Sequence, residues 1–107
     1  ENLTDAAITA VAENCPNLAE LRVWACKKLT DVAITAVAEK CPNLAALNVE
    51  LCGLTALPDN IGNLSKLKEL CVRSNKLKTL PRSLVELDAS CELSLDNNPL
   101  QTPPREG

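Results

Sequence analysis

The chain has no histidine, methionine, phenylalanine or tyrosine, and only one tryptophan and three glycines in 107 residues. Each shortage excludes something. Without histidine there is no ordinary general base near neutral pH and no imidazole to complete a zinc tetrahedron. No glycine-rich phosphate loop or nucleophile elbow is present, and the carboxylates are scattered singly. The residues therefore predict neither an enzyme nor a metal or cofactor site. A compact globule usually draws core volume from large aromatic residues, so a core without them points to many small, similar layers. No apolar run approaches the ~20 residues that span a bilayer. Eleven basic residues against fourteen acidic ones leave a net charge of −3, with no basic cluster to track a phosphate backbone. Neither a membrane nor nucleic acid is an expected partner. The start at Glu1 lacks the charged-then-apolar plan of a signal peptide, and reads as an excised, processed or artificial piece.

What is present is leucine, alanine and valine in a repeating order. The chain is 46% hydrophobic and 23% charged, and its length fits one domain over residues 1–107. Leu3 to Cys26 reads LTDAAITAVAENCPNLAELRVWAC, and Leu29 to Cys52 reads LTDVAITAVAEKCPNLAALNVELC. The two segments lie 26 positions apart and agree at 18 of 24. The period then shortens to 23: Leu44, Leu47, Val49, Cys52 and Leu54 recur as Leu67, Leu70, Val72, Asn75 and Leu77. A further step gives Ser90, Leu93, Leu95, Asn98 and Leu100, and Pro58 recurs as Pro81 and Pro104. The chain divides into 26-residue repeats over 1–53 and 23-residue repeats over 54–107, the last forming a partial C-terminal cap.

Within each repeat, Leu and Val alternate with polar residues over a few positions. That period of two predicts a strand with Leu21 and Val23 inward and Arg22 and Trp24 outward. Ile8, Val11, Ala12 and Cys15 follow a helical spacing behind a Thr4 or Asp5 cap, with Pro16 as the stop. Ile34, Val37, Ala38, Cys41 and Pro42 repeat this. In the shorter repeats Pro58 and Gly62 predict a short or 3-10 return instead. Equivalent strands should stack as a parallel sheet. Wide helices behind thin strands predict curvature, tighter in the first half than in the second. Asn75 and Asn98 follow their strands, where an amide can both donate to and accept from the turn backbone. Cys26 and Cys52 occupy the same slot mainly by fitting it.

Ser90 breaks the leucine pattern, so the last repeat is expected to be less well sealed, and Leu84, Leu87 and Ala89 offer a shifted register. The tail Thr102–Gly107 is expected to be extended. The chain opens on a helix without a preceding strand, and neither end carries a convincing polar cap. The open N-terminal layer predicts a missing upstream domain or end-to-end self-association.

Six cysteines could form a disulfide framework. Cys15, Cys41, Cys26 and Cys52 instead fall at repeat-equivalent core slots, as buried thiols would. Cys71 lies between Leu70 and Val72, at a position expected to face solvent. It is either a reactive thiol or an incidental one. The direction of Cys91 stays open.

The outward strand positions form three rows. The first holds Glu20, Ala46, Glu69 and Glu92; the second Arg22, Asn48, Cys71 and Ser94; the third Trp24, Glu50, Arg73 and Asp96. Core packing does not dictate these residues, and they vary while the scaffold positions match. They fit either a partner-reading surface or a plain solvated face. Trp24 is either an interface anchor or a ring packed on a neighbour such as the Arg22 stem. Five carboxylates against two arginines suggest that a protein partner would present a basic patch.

The LxxLxLxxN/CxL segments resemble the leucine-rich-repeat family over essentially the whole chain. Residues 3–53, through CPNLAELRVWACKKLTD and CPNLAALNVELC, resemble the cysteine-containing subclass known from F-box substrate receptors. Residues 54–104, through LTALPDNIGNLSKLKELCVRSNKL, resemble the typical LxxLP subclass. The resemblance implies an α/β solenoid wound as a curved right-handed superhelix. Its parallel sheet lines the concave face, with helices and then 3-10 segments on the convex face. It further implies reduced thiols, an intracellular location in cytoplasm or nucleus, and a non-catalytic module that binds a protein on the concave sheet. The partner-binding candidates are Glu20, Arg22, Trp24, Asn48, Glu50, Glu69, Cys71, Arg73, Ser94 and Asp96. Two other functions remain open: the substrate-recognition piece of a ubiquitin ligase, and an engineered or truncated scaffold without a natural ligand.

Overall fold

The computed structural model describes residues 3–101, and the expected extended tail at 102–107 lies outside the described residues, as does Pro104. Four coils follow one another. The first two each pair a ten-residue helix with a five-residue strand: α1 (Asp5–Asn14) with β1 (Glu20–Trp24), and α2 (Asp31–Lys40) with β2 (Ala46–Glu50). The last two replace the helix with a 3-10 segment, Asp59–Asn63 before β3 (Glu69–Cys71) and Arg82–Glu86 before β4 (Glu92–Ser94). The change of return element accounts for the drop in period, because a five-residue 3-10 turn crosses the back of a coil with fewer residues than a helix.

Local chemistry sets the boundaries. Thr4 and Thr30 are the N-caps, their hydroxyls accepting from the Ala7 and Val32 N–H groups at 3.3 and 3.1 Å. Each helix ends one residue before a Cys-Pro pair, Cys15-Pro16 or Cys41-Pro42. Pro58 and Pro81 precede the two 3-10 segments in extended backbone. Gly62 has a further use: a Cβ built there would lie 2.3 Å from the Ser83 carbonyl oxygen of the next coil. Close approach of the two thin coils therefore requires glycine.

The strands form one parallel sheet in chain order, β1-β2-β3-β4. The register is the one the repeats predict: Leu21 beside Leu47, Leu47 beside Leu70, and Leu70 beside Leu93. The shifted register suggested by Leu84, Leu87 and Ala89 is not adopted. Past each strand the chain turns through a left-handed residue, Ala25, Leu51, Ser74 or Asn97, with φ between 58 and 61°. Only Asn97 is of a type that favours that conformation; nothing in Ala25, Leu51 or Ser74 announces it. It belongs to the coil, not to the residue.

One continuous apolar cluster runs behind the sheet from Ile8 to Leu87. Asn75 is the one buried polar residue beside it among the described residues. As predicted, its amide is fully used. The oxygen accepts from the Cys52 and Leu54 N–H groups, and the nitrogen donates to the Val49 and Val72 carbonyls. Cys26 and Cys52 are buried in the same slot, and their thiols donate only to the carbonyl two residues back, at 3.6 and 3.3 Å.

The ends depart from the repeat average. Cys15 is exposed, not buried, while its equivalent Cys41 is fully enclosed. Val11 is 38% exposed and Val37 is not exposed at all. Leu21, expected inward, is half-buried where Leu47 is sealed. Residue type is constant across these pairs. What differs is that coil 2 has a coil stacked on each side, whereas among the described residues coil 1 has one on its C-terminal side only. At the other end Leu93 and Leu100 are exposed, and Ser90 faces water as expected, its N–H and hydroxyl both donating to the Asp88 carboxylate at 2.8 Å. The Asp88 carboxyl is held below its ordinary range first by the Ser90 backbone bond and then by the hydroxyl bond.

Candidate functional site: the open face of the sheet

The sheet has one face sealed by the helices and 3-10 segments, and one face that no other element among the described residues covers. Pairing places Glu20, Ala46, Glu69 and Glu92 in one row and Arg22, Asn48, Cys71 and Ser94 in the next. In the third row Trp24 pairs with Glu50, and Arg73 and Asp96 continue it. The Leu51 N–H donates to the Arg73 carbonyl and the Ser74 N–H to the Asp96 carbonyl. All ten sequence candidates therefore lie on one surface, although they come from four separate segments. Strand spacing makes that surface about 14 Å wide across the four strands.

The arginines are committed within the face. Arg22 of β1 reaches past β2 to Glu69 of β3, and the contact is bidentate, with nitrogen–oxygen distances of 3.0 and 3.3 Å. Glu20 adds a looser contact at 3.6 Å. In the register Ala46 lies between Glu20 and Glu69, while Arg22 itself sits beside Asn48, so the bridge crosses β2 diagonally. Ala46 is 5% exposed despite pointing outward. Sequence reading placed Ala46 in its row but not its burial. The only available signal was a small residue between two long charged ones. The pairing raises the Arg22 pKa, chiefly through the Glu69 bond, and holds the Glu69 carboxyl below its ordinary value, chiefly through the Arg22 bond. Both side chains remain substantially hydrated, so the pair sets geometry more than stability.

Arg73 lies 3.9 Å from the Glu50 carboxylate. Its pKa is raised first by the Cys71 sulfur beside it and then by Glu50. Cys71 corrects a prediction. It points to the open face, but only 2% of it is exposed, with the Glu50 carboxylate 3.9 Å from its sulfur. A short side chain on an inner strand is overgrown by longer neighbours, so alternation predicts its direction and not its access. The Cys71 thiol is not available as a surface nucleophile in this arrangement.

Asn48 is half-buried and accepts from the Glu50 N–H at 3.1 Å. Ser94 is half-buried as well, whereas Asp96 and Glu92 are exposed. Trp24 is 64% exposed, so the ring is not packed away on the Arg22 stem, which is directed to Glu69 instead. The face thus has an aromatic end on β1, a self-paired arginine–carboxylate middle, and carboxylates on and just after β4.

Cys91 is half-buried, and burial first, then Asp88 and Glu92, raises its thiol pKa. Burial likewise raises Cys41 and Cys52. Among the described residues no three metal-ligating side chains gather together, and no helix is long and apolar enough to cross a membrane.

Comparison with known proteins agrees with this architecture. The family model for the leucine-rich repeat matches residues 42–100. A disease resistance-like protein of Arabidopsis thaliana is 49% identical over 37 residues, which is 35% of this chain and 3% of that protein. A solved leucine-rich-repeat protein of Leptospira interrogans superposes with a TM-score of 0.70 over 92% of this chain, at 28% identity. The match takes in 23% of that bacterial chain, so in both comparisons this chain spans a minor part of the relative.

Proposed function

The chain belongs to the leucine-rich-repeat family, and from that premise we propose that it binds a protein partner on the open face of its sheet. The family fold commonly serves as a non-enzymatic interaction scaffold. The observation that carries the assignment to this face is Trp24, a large aromatic side chain 64% exposed on a rigid, otherwise polar sheet. Tryptophan is enriched among interface hot spots, because its ring buries a large area at low entropic cost. The self-pairing of Arg22 and Arg73 supports the rest of the reading. With each cation matched by one carboxylate, the excess outward charge comes from Glu20, Glu92 and Asp96, which favours a partner with a basic patch.

The test is binding of an identified partner by Trp24→Ala, Asp96→Arg and, as a control, Val32→Ser. Val32 is exposed at the start of α2, away from the sheet. The expected result is loss of at least ~30-fold in affinity for Trp24→Ala, as for a hot-spot truncation, with Val32→Ser unchanged. Retained binding by both sheet variants would move the partner off this face.

A narrower reading of the same face is substrate recognition within a ubiquitin ligase. The likeness of residues 3–53 to the cysteine-containing subclass supports it. Co-purification of a ubiquitin-ligase adaptor with the full-length protein is the discriminating observation.

A further inference from the structure

Where the strands end and the chain turns back, the solenoid has an edge of one charge. Four segments run along it, 25–30, 51–58, 74–81 and 97–101. Together they hold Lys27, Lys28, Lys76 and Lys78 and no carboxylate, and all four lysines are exposed. Every ion pair among the described residues uses Arg22 or Arg73, so the fold matches none of these ammonium groups. The acidic residues that follow, Asp31 and Asp59, lie in the first turns of α2 and of the 3-10 segment Asp59–Asn63. Asp5 is held by the Thr30 N–H and hydroxyl. Lys27 and Lys76 come after equivalent slots, Cys26 and Asn75, two strand spacings or about 10 Å apart. Between them stands Gly53, where a Cβ would meet nothing within 4 Å. Lys76 and Lys78 flank the buried Leu77, so both are turned outward.

Next to Lys78 the edge opens into a cleft of about 270 Å³. Ala56, Leu57 and Asp59 of one coil form one wall, and Thr79, Leu80 and Pro81 of the next coil form the other. Leu57 is buried and Leu80 half-buried, while Ala56, Asp59 and Thr79 are exposed. The cleft therefore offers an apolar interior with one carboxylate at its mouth.

We infer that this edge is a second docking surface, separate from the open face, for an extended acidic segment of a partner protein. The segment sets one aliphatic side chain in the cleft and its carboxylates on Lys78 and Lys76, and then reaches Lys27 and Lys28 across Gly53. Charge complementarity fixes the sign of the occupant, opposite to the sign favoured by the open face. Asp59 fixes its direction, because a carboxylate is repelled at the mouth of the cleft and accepted beyond Lys78. An extended chain rises about 3.4 Å per residue, so carboxylates three residues apart span the distance between the two lysine groups. A nucleic acid fits less well, since the cleft has no aromatic ring on which a base could stack.

The probe is the acetylated peptide Leu-Gly-Glu-Glu-Glu-Glu, titrated into the isotopically labelled chain at low salt and followed by amide chemical shifts. Shifts should concentrate at Leu57, Lys76, Lys78, Thr79 and Leu80, should fade as salt is raised, and should be absent when lysines replace the glutamates. Lys76→Gln with Lys78→Gln should weaken binding about tenfold, the worth of two exposed ion pairs, and Lys78→Gln alone should give a smaller loss. Thr79→Trp, which fills the mouth of the cleft, should abolish the advantage of this peptide over one with glycine in place of leucine. These positions are exposed, so the thermal midpoint of each variant should match that of the parent. Trp24→Ala should leave peptide binding unchanged, which keeps a failure here distinct from a failure of the open-face reading. Absence of saturable binding would overturn the inference, and so would shifts centred on the outward rows of the sheet. Equal binding of an oligothymidylate or inorganic polyphosphate, indifferent to Thr79→Trp, would also overturn it, by making the edge a general polyanion surface.

Discussion

Asn75 closes the turn that follows Cys52 one coil earlier, its side-chain oxygen accepting the Cys52 N–H at 2.9 Å. The same oxygen accepts from Leu54 at 3.0 Å, and the amide nitrogen donates to Val49 and Val72 at 2.9 Å each. One side chain therefore satisfies backbone groups of two successive coils, in a place where water does not reach. Asn75→Ala should leave those groups unpaired, at a cost of about 3 kcal/mol or more in urea unfolding, because each orphaned buried group costs about 1–3 kcal/mol. Asn98→Ala should cost less. Asn98 is half-buried, and its oxygen accepts from Leu77 alone.

Leu18 and Leu44 separate residue type from position. They are the same residue in the same slot of adjacent coils, but Leu44 is fully buried and Leu18 half-buried. Leu44→Ala should cost about 3 kcal/mol, within the usual span for a core leucine. Leu18→Ala should cost about 1 kcal/mol, since the leucine is already partly hydrated and its removal leaves an open notch instead of a cavity. Chemical denaturation of the two variants checks the ratio, and equal losses would mean that the open layer is covered in solution.

This pair also marks how far the sequence was legible. Repeat spacing predicted the strand order, the register, the three outward rows and the Asn75 turn, because each depends on a local period carried by many residues. It failed where the environment is not periodic. Cys15 and Cys41 sit in nearly the same sequence context, yet one is exposed and the other enclosed, because stacking neighbours, not residues, decide. Cys71 alternates outward as expected but is roofed by longer side chains from adjacent coils. The Arg22–Glu69 bridge joins residues 47 positions apart across an intervening strand, and no local pattern encodes such a contact. The left-handed turn residues Ala25, Leu51 and Ser74 are invisible for the opposite reason: the coil imposes the conformation on side chains that do not favour it.

The six thiols should label in a definite order. Cys15 is exposed and should react first, Cys91 is half-buried and should follow, and Cys26, Cys41, Cys52 and Cys71 should wait for opening of the fold. Burial raises the thiols of Cys41, Cys52 and Cys91, so less thiolate is present at neutral pH than for a free cysteine. Labelling followed by peptide mapping should therefore find Cys15 modified before any other site, with the Cys91 rate climbing at higher pH than that of a free cysteine. Early modification of Cys71 would show that the Glu50 and Arg73 cover opens readily, and would return that sulfur to the accessible surface.

The Arg22–Glu69 bridge makes the open face responsive to acid. Arg22 holds the Glu69 carboxyl below the ordinary glutamate value of 4.5. A depressed carboxylate contributes fully above that ordinary value, and its contribution is lost as the pH falls through the lower value of the folded state. The Glu69 carboxylate followed by NMR should therefore titrate below 4.5, and Arg22→Ala should move its midpoint back up to the ordinary range. Arg22→Lys should restore only part of the depression, since an ammonium cannot form the two-pronged contact. Both partners are hydrated, so unfolding stability should change little across the same titration. The consequence is local: once Glu69 is protonated, the guanidinium loses its charged partner, so the middle of the face becomes more cationic. A Glu69 midpoint indifferent to the loss of Arg22 would mean that the two side chains do not hold each other in solution, and Arg22 would then be free for a partner at every pH.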